Sequence, residues 1–425
     1  MAESGDAGAG VPGVAAAGRD AAGLGDERHS VLAGDAVFGV HVLAGDGLVR
    51  PAAGLRRRTH RGRPAAVGVE VCNMIAIHHT PGSFSDRWLA YARQLGCDVR
   101  VVDAYRPDIF DQLRGCTALL WHWEHWRPDA VAAARRILPA AEHRGLLVFP
   151  DMKTCWHYDD KAAQKYLLEA VGAPAMPAVV FYDEDAALRW AAEAEFPKVF
   201  KLACGAGGRN VRLVRSPRQA RALIRRAFGR GFRPFGGVFS DGRTRLRALG
   251  KVSGVGPKVR KIRDYVRKVH RVNSGLPRQR GYVYFQDYVP QPGCDVRVII
   301  IGDRALACLR ETRPGDFRAS GSGRIFYEPQ RIPLDYVRTA FEVADRLATQ
   351  CIGFDFLVGP AGEPVIGEIS YCFPSAGIYA CQGYWDRQLR HTPGHHHPED
   401  LIFDDVLAEL SKRAGQEPDT ACASS

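Results

Sequence analysis

The chain has 425 residues, too many for one ordinary core, so two or three domains are expected. Its composition is globular, with 46% hydrophobic and 25% charged residues, and no run of about 18 apolar residues marks a membrane span. A formal charge of +11 and a pI near 9.2 suit nucleic acid, a membrane surface or small anions without choosing among them. The eleven cysteines stand singly with no C-x-x-C pair, which supports neither a zinc site nor a disulfide framework and fits a reducing cytoplasm.

Residues 1–73 are about 40% Ala plus Gly, with one aromatic (Phe38) and no Lys, a stretch too poor in apolar bulk to offset chain entropy. The expectation is a disordered leader or an over-extended start, with Met74 as a candidate initiator. From Met74 the pattern alternates. Strands are expected at 74–79, 98–102, 118–122 and 146–149, with helices over 83–95, 108–113 and 129–143. That is a small parallel α/β domain spanning 74–150. A first α+β subdomain follows over 151–235, with a helix at 160–171, a strand ending at 182, a helix at 184–195 and a strand at 196–202. A glycine loop, a further strand and a helix capped by Ser216 complete it. Residues 236–280 read as a basic linker holding a short helix around 260–270. A second subdomain over 281–410 has a strand at 282–289, a hairpin at 294–311, a helix at 335–349 and a last hairpin. Residues 411–425 read as a disordered tail.

The last hairpin carries the strongest signal. Cys351–Val358 and Pro364–Ser370 flank a Gly/Pro turn, and a turn centred on Ala361-Gly362 sets Asp355 opposite Glu368. Ser370 shares their face. Two carboxylates and a hydroxyl form an oxygen-only cluster suited to Mg²⁺ or Mn²⁺, and like charges so close call for a cation. In the earlier hairpin, a turn at Gly302-Asp303 sets Asp295 opposite Arg310, with Arg297 on the same face. This is either a cross-strand ion pair or an acid for a ribose beside guanidiniums for phosphate. Lys201 ends a strand that runs into Cys204-Gly-Ala-Gly-Gly-Arg-Asn210, one way to cradle phosphates, though a structural turn reads equally from these residues. The loop Asp316–Arg324 is small, hydroxyl-rich and flanked by arginines, which fits either a surface loop or closure over an anion.

Taken in order, a lysine, a lysine with a glycine loop, an Asp/Arg hairpin and a D-x12-E-x-S hairpin resemble the ATP-grasp superfamily across about 150–375. The stretches Gly82–Trp88, Asp160–Leu168 and Phe317–Gly323 are similar to those of ATP-grasp proteins encoded with bacterial surface-polysaccharide genes. The resemblance implies an α/β front domain followed by two α+β subdomains that hold ATP between them. It implies Lys161 and Lys201 on the phosphates, and Gly205, Gly207 and Gly208 in the loop above them. Gln286-Asp287-Tyr288-Val289 would be the adenine hinge, Asp295 the ribose acid, and Asp355, Glu368 and Ser370 the magnesium ligands. Arg297, Arg310 and Arg318 would face phosphate and acyl-phosphate oxygens. Ser370 stands where the family usually has Asn, and Gly353 where D-alanine-type peptide ligases have Arg.

The implied function is an ATP- and Mg²⁺-dependent ligase that activates a carboxylate as an acyl phosphate for capture by an amine or other nucleophile, in surface-polysaccharide biosynthesis. The alternatives are a kinase-like phosphotransferase or a non-catalytic ATP-binding protein. The basic stretch 243–280 has little aromatic interleaving, which disfavours nucleic acid. Trp121-His-Trp-Glu-His-Trp126 reads as interdomain packing or a substrate surface. His391 and His395–His397 read as a solvated loop rather than a metal site.

Overall fold

The computed structural model describes residues 74–125, 127–205, 210–234, 255–291, 293–311 and 324–416. The front domain alternates β1 (Met74–His78), α1 (Phe84–Leu95), β2 (Val99–Val102), α2 (Ile109–Gln112), β3 (Cys116–Leu120), α3 (Pro128–His143) and β4 (Leu147–Phe149). Its four strands run parallel in the order β2-β1-β3-β4. The Ser83 hydroxyl caps α1 by accepting from the Ser85 amide, and Gly96 ends the helix at φ +70°.

The next unit holds α4 (Met152–Cys155), α5 (Lys161–Ala170), β5 (Ala178–Phe181), α6 (Glu184–Glu193), β6 (Lys198–Lys201), β7 (Val211–Val214), α7 (Pro217–Phe228), α8 (Val255–Gly275) and β8 (Val283–Asp287). The sheet order is β5-β8-β6-β7, antiparallel throughout. Ser216 caps α7 as its position before Pro217 predicts. The short basic helix expected near 260–270 is in fact a 21-residue helix, α8, because Val and Ile recur at helical spacing well beyond its basic centre.

The third unit comprises β9 (Cys294–Ile301), β10 (Arg304–Glu311), β11 (Ile325–Phe326), α9 (Leu334–Leu347), β12 (Cys351–Val358), β13 (Pro364–Ser370), α10 (Ser375–Tyr379), β14 (Gly383–Trp385), β15 (His391–Pro393) and α11 (Pro398–Gln416). Its strands lie in the order β13-β12-β9-β10-β14-β15, with β11 against β10. The tail expected from 411 instead begins as helix, since α11 runs through Gln416. It docks on α1: Arg87 donates twice to Asp400 (2.6 and 2.5 Å), and the Trp88 indole donates to Glu399 O (3.1 Å). Within Gly82–Trp88, then, Arg87 and Trp88 serve as a structural latch.

The large sheet has two unlike faces. Val296, Val298, Ile300, Ile352, Phe354 and Phe356 bury against α9. The opposite face is split along its length. Ile299, Ile301, Leu306 and Cys351 join one continuous core with the front domain, while Asp295, Arg297, Arg310 and Asp355 occupy the other end. Gly353 sits at the boundary, paired with Ile299. A Cβ there would lie 2.6 Å from Ile299 Cδ1 and 3.1 Å from Ser370 O, so a larger residue fits only if its buried neighbours shift. Gly353→Val should cost about 1–3 kcal/mol through overpacking, read as a lower urea midpoint at unchanged m-value.

Candidate active site

One wall of a cleft is the face of the β5-β8-β6-β7 sheet that α6 and α7 leave uncovered. Phe200 and Phe285 turn into those helices, so the two-residue period sends Val199 and Lys201, with their partners Gln286 and Tyr284, to the other side. The facing wall is β13. Lys161, Met176, Tyr284, Gln286, Gly367 and Glu368 line the open hollow between them, of ≈ 500 Å³.

Lys161 begins α5, with Asp160 capping the helix by accepting from the amides of Ala162 and Ala163. The lysine is only 4% exposed. Its Nζ donates to Gly205 O (2.7 Å) and lies 3.0 Å from Glu368 Oε1. Burial alone would lower its pKa, but Glu368 and Asp159 outweigh burial and raise it. Lys201 has the opposite balance. Burial dominates and pushes its pKa down to about 8, with Glu368 opposing and Lys161 reinforcing the fall. Its Nζ reaches Gly367 O at 3.5 Å.

Asp355 does stand opposite Glu368, by a route the sequence hides. The inner pairs, from Val358 with Pro364 to Phe356 with Ile366, centre the turn on Ala361 alone. A bulge between Asp355 and Phe356 then restores the pairing, with Gly367 as the extra residue. The neutralising charges are basic side chains. Arg297 grips Asp355 through both carboxylate oxygens (2.6 and 2.8 Å), and Arg310 approaches to 3.2 Å. Burial would raise the Asp355 pKa, but the two guanidiniums outweigh it and hold the carboxyl well below the usual range. In this structure the two carboxylates are paired with basic side chains, Asp355 with arginines that the neighbouring strands present in register and Glu368 with Lys161 from the start of α5.

Arg310 donates to both oxygens of Asp295 (2.6 and 2.7 Å), as the turn at Gly302-Asp303 requires. That leaves Asp295 6% exposed with both oxygens engaged, so a ribose-binding role gains no support from the geometry. Of the hinge, Gln286 faces the cleft. Asp287 turns its carboxylate to Lys198 (2.7 Å) and its amide to Pro177 O (2.9 Å), and Val289 O accepts from Gln291 (3.1 Å). Tyr288 lies between these two residues. The Ser370 hydroxyl donates to Cys372 O (2.9 Å) and accepts from its amide (3.2 Å), which commits it to a local turn. Gly207, Gly208, Arg318 and Trp126 lie outside the described residues; Gly205, at φ +121°, opens the glycine loop.

Of the tryptophan-histidine motif, Trp121 and Trp123 are core residues. His122 stacks on Phe84 (3.9 Å between centroids) and lies 3.0 Å from Cys372 Sγ. Burial drives the imidazole pKa down to about 3 and the thiol up to about 11, so both are neutral. His397 stacks on Tyr379 (4.2 Å), and His396 meets Tyr384 edge-on. Among the described residues no group of three or more His, Cys, Asp or Glu could hold a metal. Sequence reasoning missed Asp159 and Gln164. The Gln164 Oε1 accepts from the Ile369 amide (3.4 Å) and ties α5 to β13. Gln164 lies within the Asp160–Leu168 stretch, where the sequence assigns it no role, and no motif flags Asp159.

Residues 160–238 match the family model described as carbamoyl-phosphate synthase L chain, ATP binding domain, the stretch that carries Lys161, Lys201 and the glycine loop. A search of the curated proteins finds no match. Among solved structures, the chain is similar to a RimK domain protein ATP-grasp from Sphaerobacter thermophilus DSM 20745. The two are 16% identical with a TM-score of 0.46, over 79% of this chain and 99% of that one. It is similar to N5-carboxyaminoimidazole ribonucleotide synthetase from Thermotoga maritima, 15% identical with a TM-score of 0.48, over 79% and 76%. A further match is D-cycloserine synthetase DcsG, 17% identical with a TM-score of 0.46, over 80% and 99%.

Two outcomes test this site. Arg310→Met leaves Asp295 buried without its partner and should cost about 3–5 kcal/mol of stability in chemical denaturation. Mg-ATP affinity, measured by calorimetry, should fall as pH rises through about 8, where Lys201 loses its positive charge. The Lys201→Arg protein should show no such fall, since arginine stays charged there.

Proposed function

We propose that this chain is an ATP-grasp ligase that uses ATP to convert a carboxylate into an acyl phosphate, which an amine or other nucleophile then captures. The observation carrying this reading is the meeting of Lys161 and Lys201, within a stretch matching an ATP-binding-domain model, with Glu368 across the cleft. A triphosphate needs positive charge on one wall and a cation holder on the other, and the cleft supplies both.

In the first step a carboxylate oxygen attacks the γ-phosphorus and ADP leaves. In the second the nucleophile attacks the acyl carbon and phosphate leaves. Such chemistry asks for positioning and charge neutralisation rather than a protein nucleophile. Lys161 and Lys201 orient the phosphates. Arg297 and Arg310, on the strands beside the hairpin, would neutralise charge on the transferred group once they release Asp355. Glu368, and Asp355 when freed of Arg297, would hold Mg²⁺, which usually takes one or two carboxylates and completes its sphere with phosphate oxygens and water. When bound, the metal would screen the phosphate charges. Ser370 is the weaker member of that set because its hydroxyl is committed to Cys372. No helix among the described residues is long and apolar enough to cross a membrane. The described cysteines carry free thiols, which agrees with the cytoplasmic setting.

An ADP-release screen over carboxylates paired with amines tests the ligase reading. ADP release that depends on both substrates supports it. A stable phosphorylated product with no second substrate favours the kinase-like alternative, and binding without turnover under any mixture favours a non-catalytic one. Glu368→Gln should abolish ADP release in a protein that still folds and melts cooperatively, at a lowered temperature because the buried Lys161 loses its partner, and full activity in that variant would sink the assignment. The surface-polysaccharide setting rests on the sequence resemblance, and glycosyltransferase genes beside this one would support it.

A further inference from the structure

We infer that Asp159 is a positioning residue of the ATP site, holding the start of the glycine loop through the Gly205 amide so that Lys161 is fixed beneath it. This rests on the ATP-binding reading above. Asp159 sits at φ +55°, in the left-handed region that few L residues adopt and that Asn and Asp enter most readily. Its Oδ1 accepts from the Gly205 amide at 2.8 Å. Two residues on, the Lys161 amide donates to Ala203 O (3.0 Å), and the Lys161 ammonium donates to Gly205 O (2.7 Å). Gly205 is therefore held on both sides of its backbone, its N–H by Asp159 and its carbonyl by Lys161.

Stability alone gives no reason for an aspartate here. Gly or Asn would meet the left-handed conformation equally well, and burial opposes the charge, pushing the carboxyl pKa up against His125 and Lys161, with Glu368 adding like-charge repulsion. The Lys161–Ala203 bond would already tie the two segments together. What Asp159 adds is a fixed acceptor for one amide at the mouth of the phosphate loop. It also sets the direction from which the chain enters α5, and hence where Lys161 points. A buried carboxylate kept at such a place for one backbone amide is the mark of a positioned group rather than of a packing contact.

The test uses the full chain with Mg-ATP as the probe, calorimetry for affinity and thermal melting for stability. Asp159→Gly removes the acceptor while keeping the backbone angle accessible. It should weaken Mg-ATP binding by roughly tenfold, about what one charge-assisted hydrogen bond is worth, with the melting temperature unchanged or raised. Asp159→Asn keeps an Oδ1 acceptor and tolerates the left-handed backbone, so its affinity should stay near that of the wild type. Wild-type affinity in Asp159→Gly, failure of that variant to fold, or equal losses in the two variants would each overturn the inference. A wild-type protein that binds no Mg-ATP would overturn the proposed function with it.

Discussion

Like charges brought close together have to be neutralised, and the site is organised around that requirement. Asp355 and Glu368 face each other across adjacent strands, and each carries its own basic partner, Arg297 and Lys161. Arg310 is aimed at Asp355 because Asp295, buried behind it, fixes its guanidinium from the other side. The strand order β13-β12-β9-β10 is what makes this possible. Glu368, Asp355, Arg297 and Arg310 come from consecutive strands, and their alternation on one face is a property of pairing register rather than of any loop.

The lysines solve a related problem by burial. Lys161 and Lys201 share one cleft, yet burial lowers the pKa of one while Glu368 and Asp159 raise that of the other. The difference is geometric. Lys161 lies within ion-pair distance of Glu368, whereas Lys201 reaches only a backbone carbonyl. The two ammonium groups thus differ in how readily they give up a proton, although both lie close to Glu368.

Much of this was legible in the residues, and the reasons for the rest are physical. The Gly302-Asp303 turn fixes its hairpin directly, so Asp295 and Arg310 could be paired from sequence. Asp355 and Glu368 were paired correctly although the assumed turn centre was displaced, because the Gly367 bulge compensates it; a bulge leaves no periodic trace. Asp159 could not be seen at all, since its role depends on a backbone angle and on a partner 46 positions away. The length of α8 was underestimated because charge, rather than the recurrence of Val and Ile, was taken as its boundary. The helical start of the tail was missed for a similar reason. α11 buries Leu401, Ile402, Phe403, Val406 and Leu410 in the core, but its last turn, 411–416, is wholly exposed and carries no buried apolar residue to extend that pattern.

The split face of the large sheet bears on modularity. Its charged end serves the cleft, and its apolar end, with Ile299, Ile301, Leu306 and Cys351, shares a single core with the front domain. The front domain is therefore not a detachable cassette. Removing it would strip the cover from the strands that carry Arg297 and Asp355, leaving an adhesive apolar surface next to those charges. Exchange of that domain between related proteins can succeed only where the junction residues travel with it.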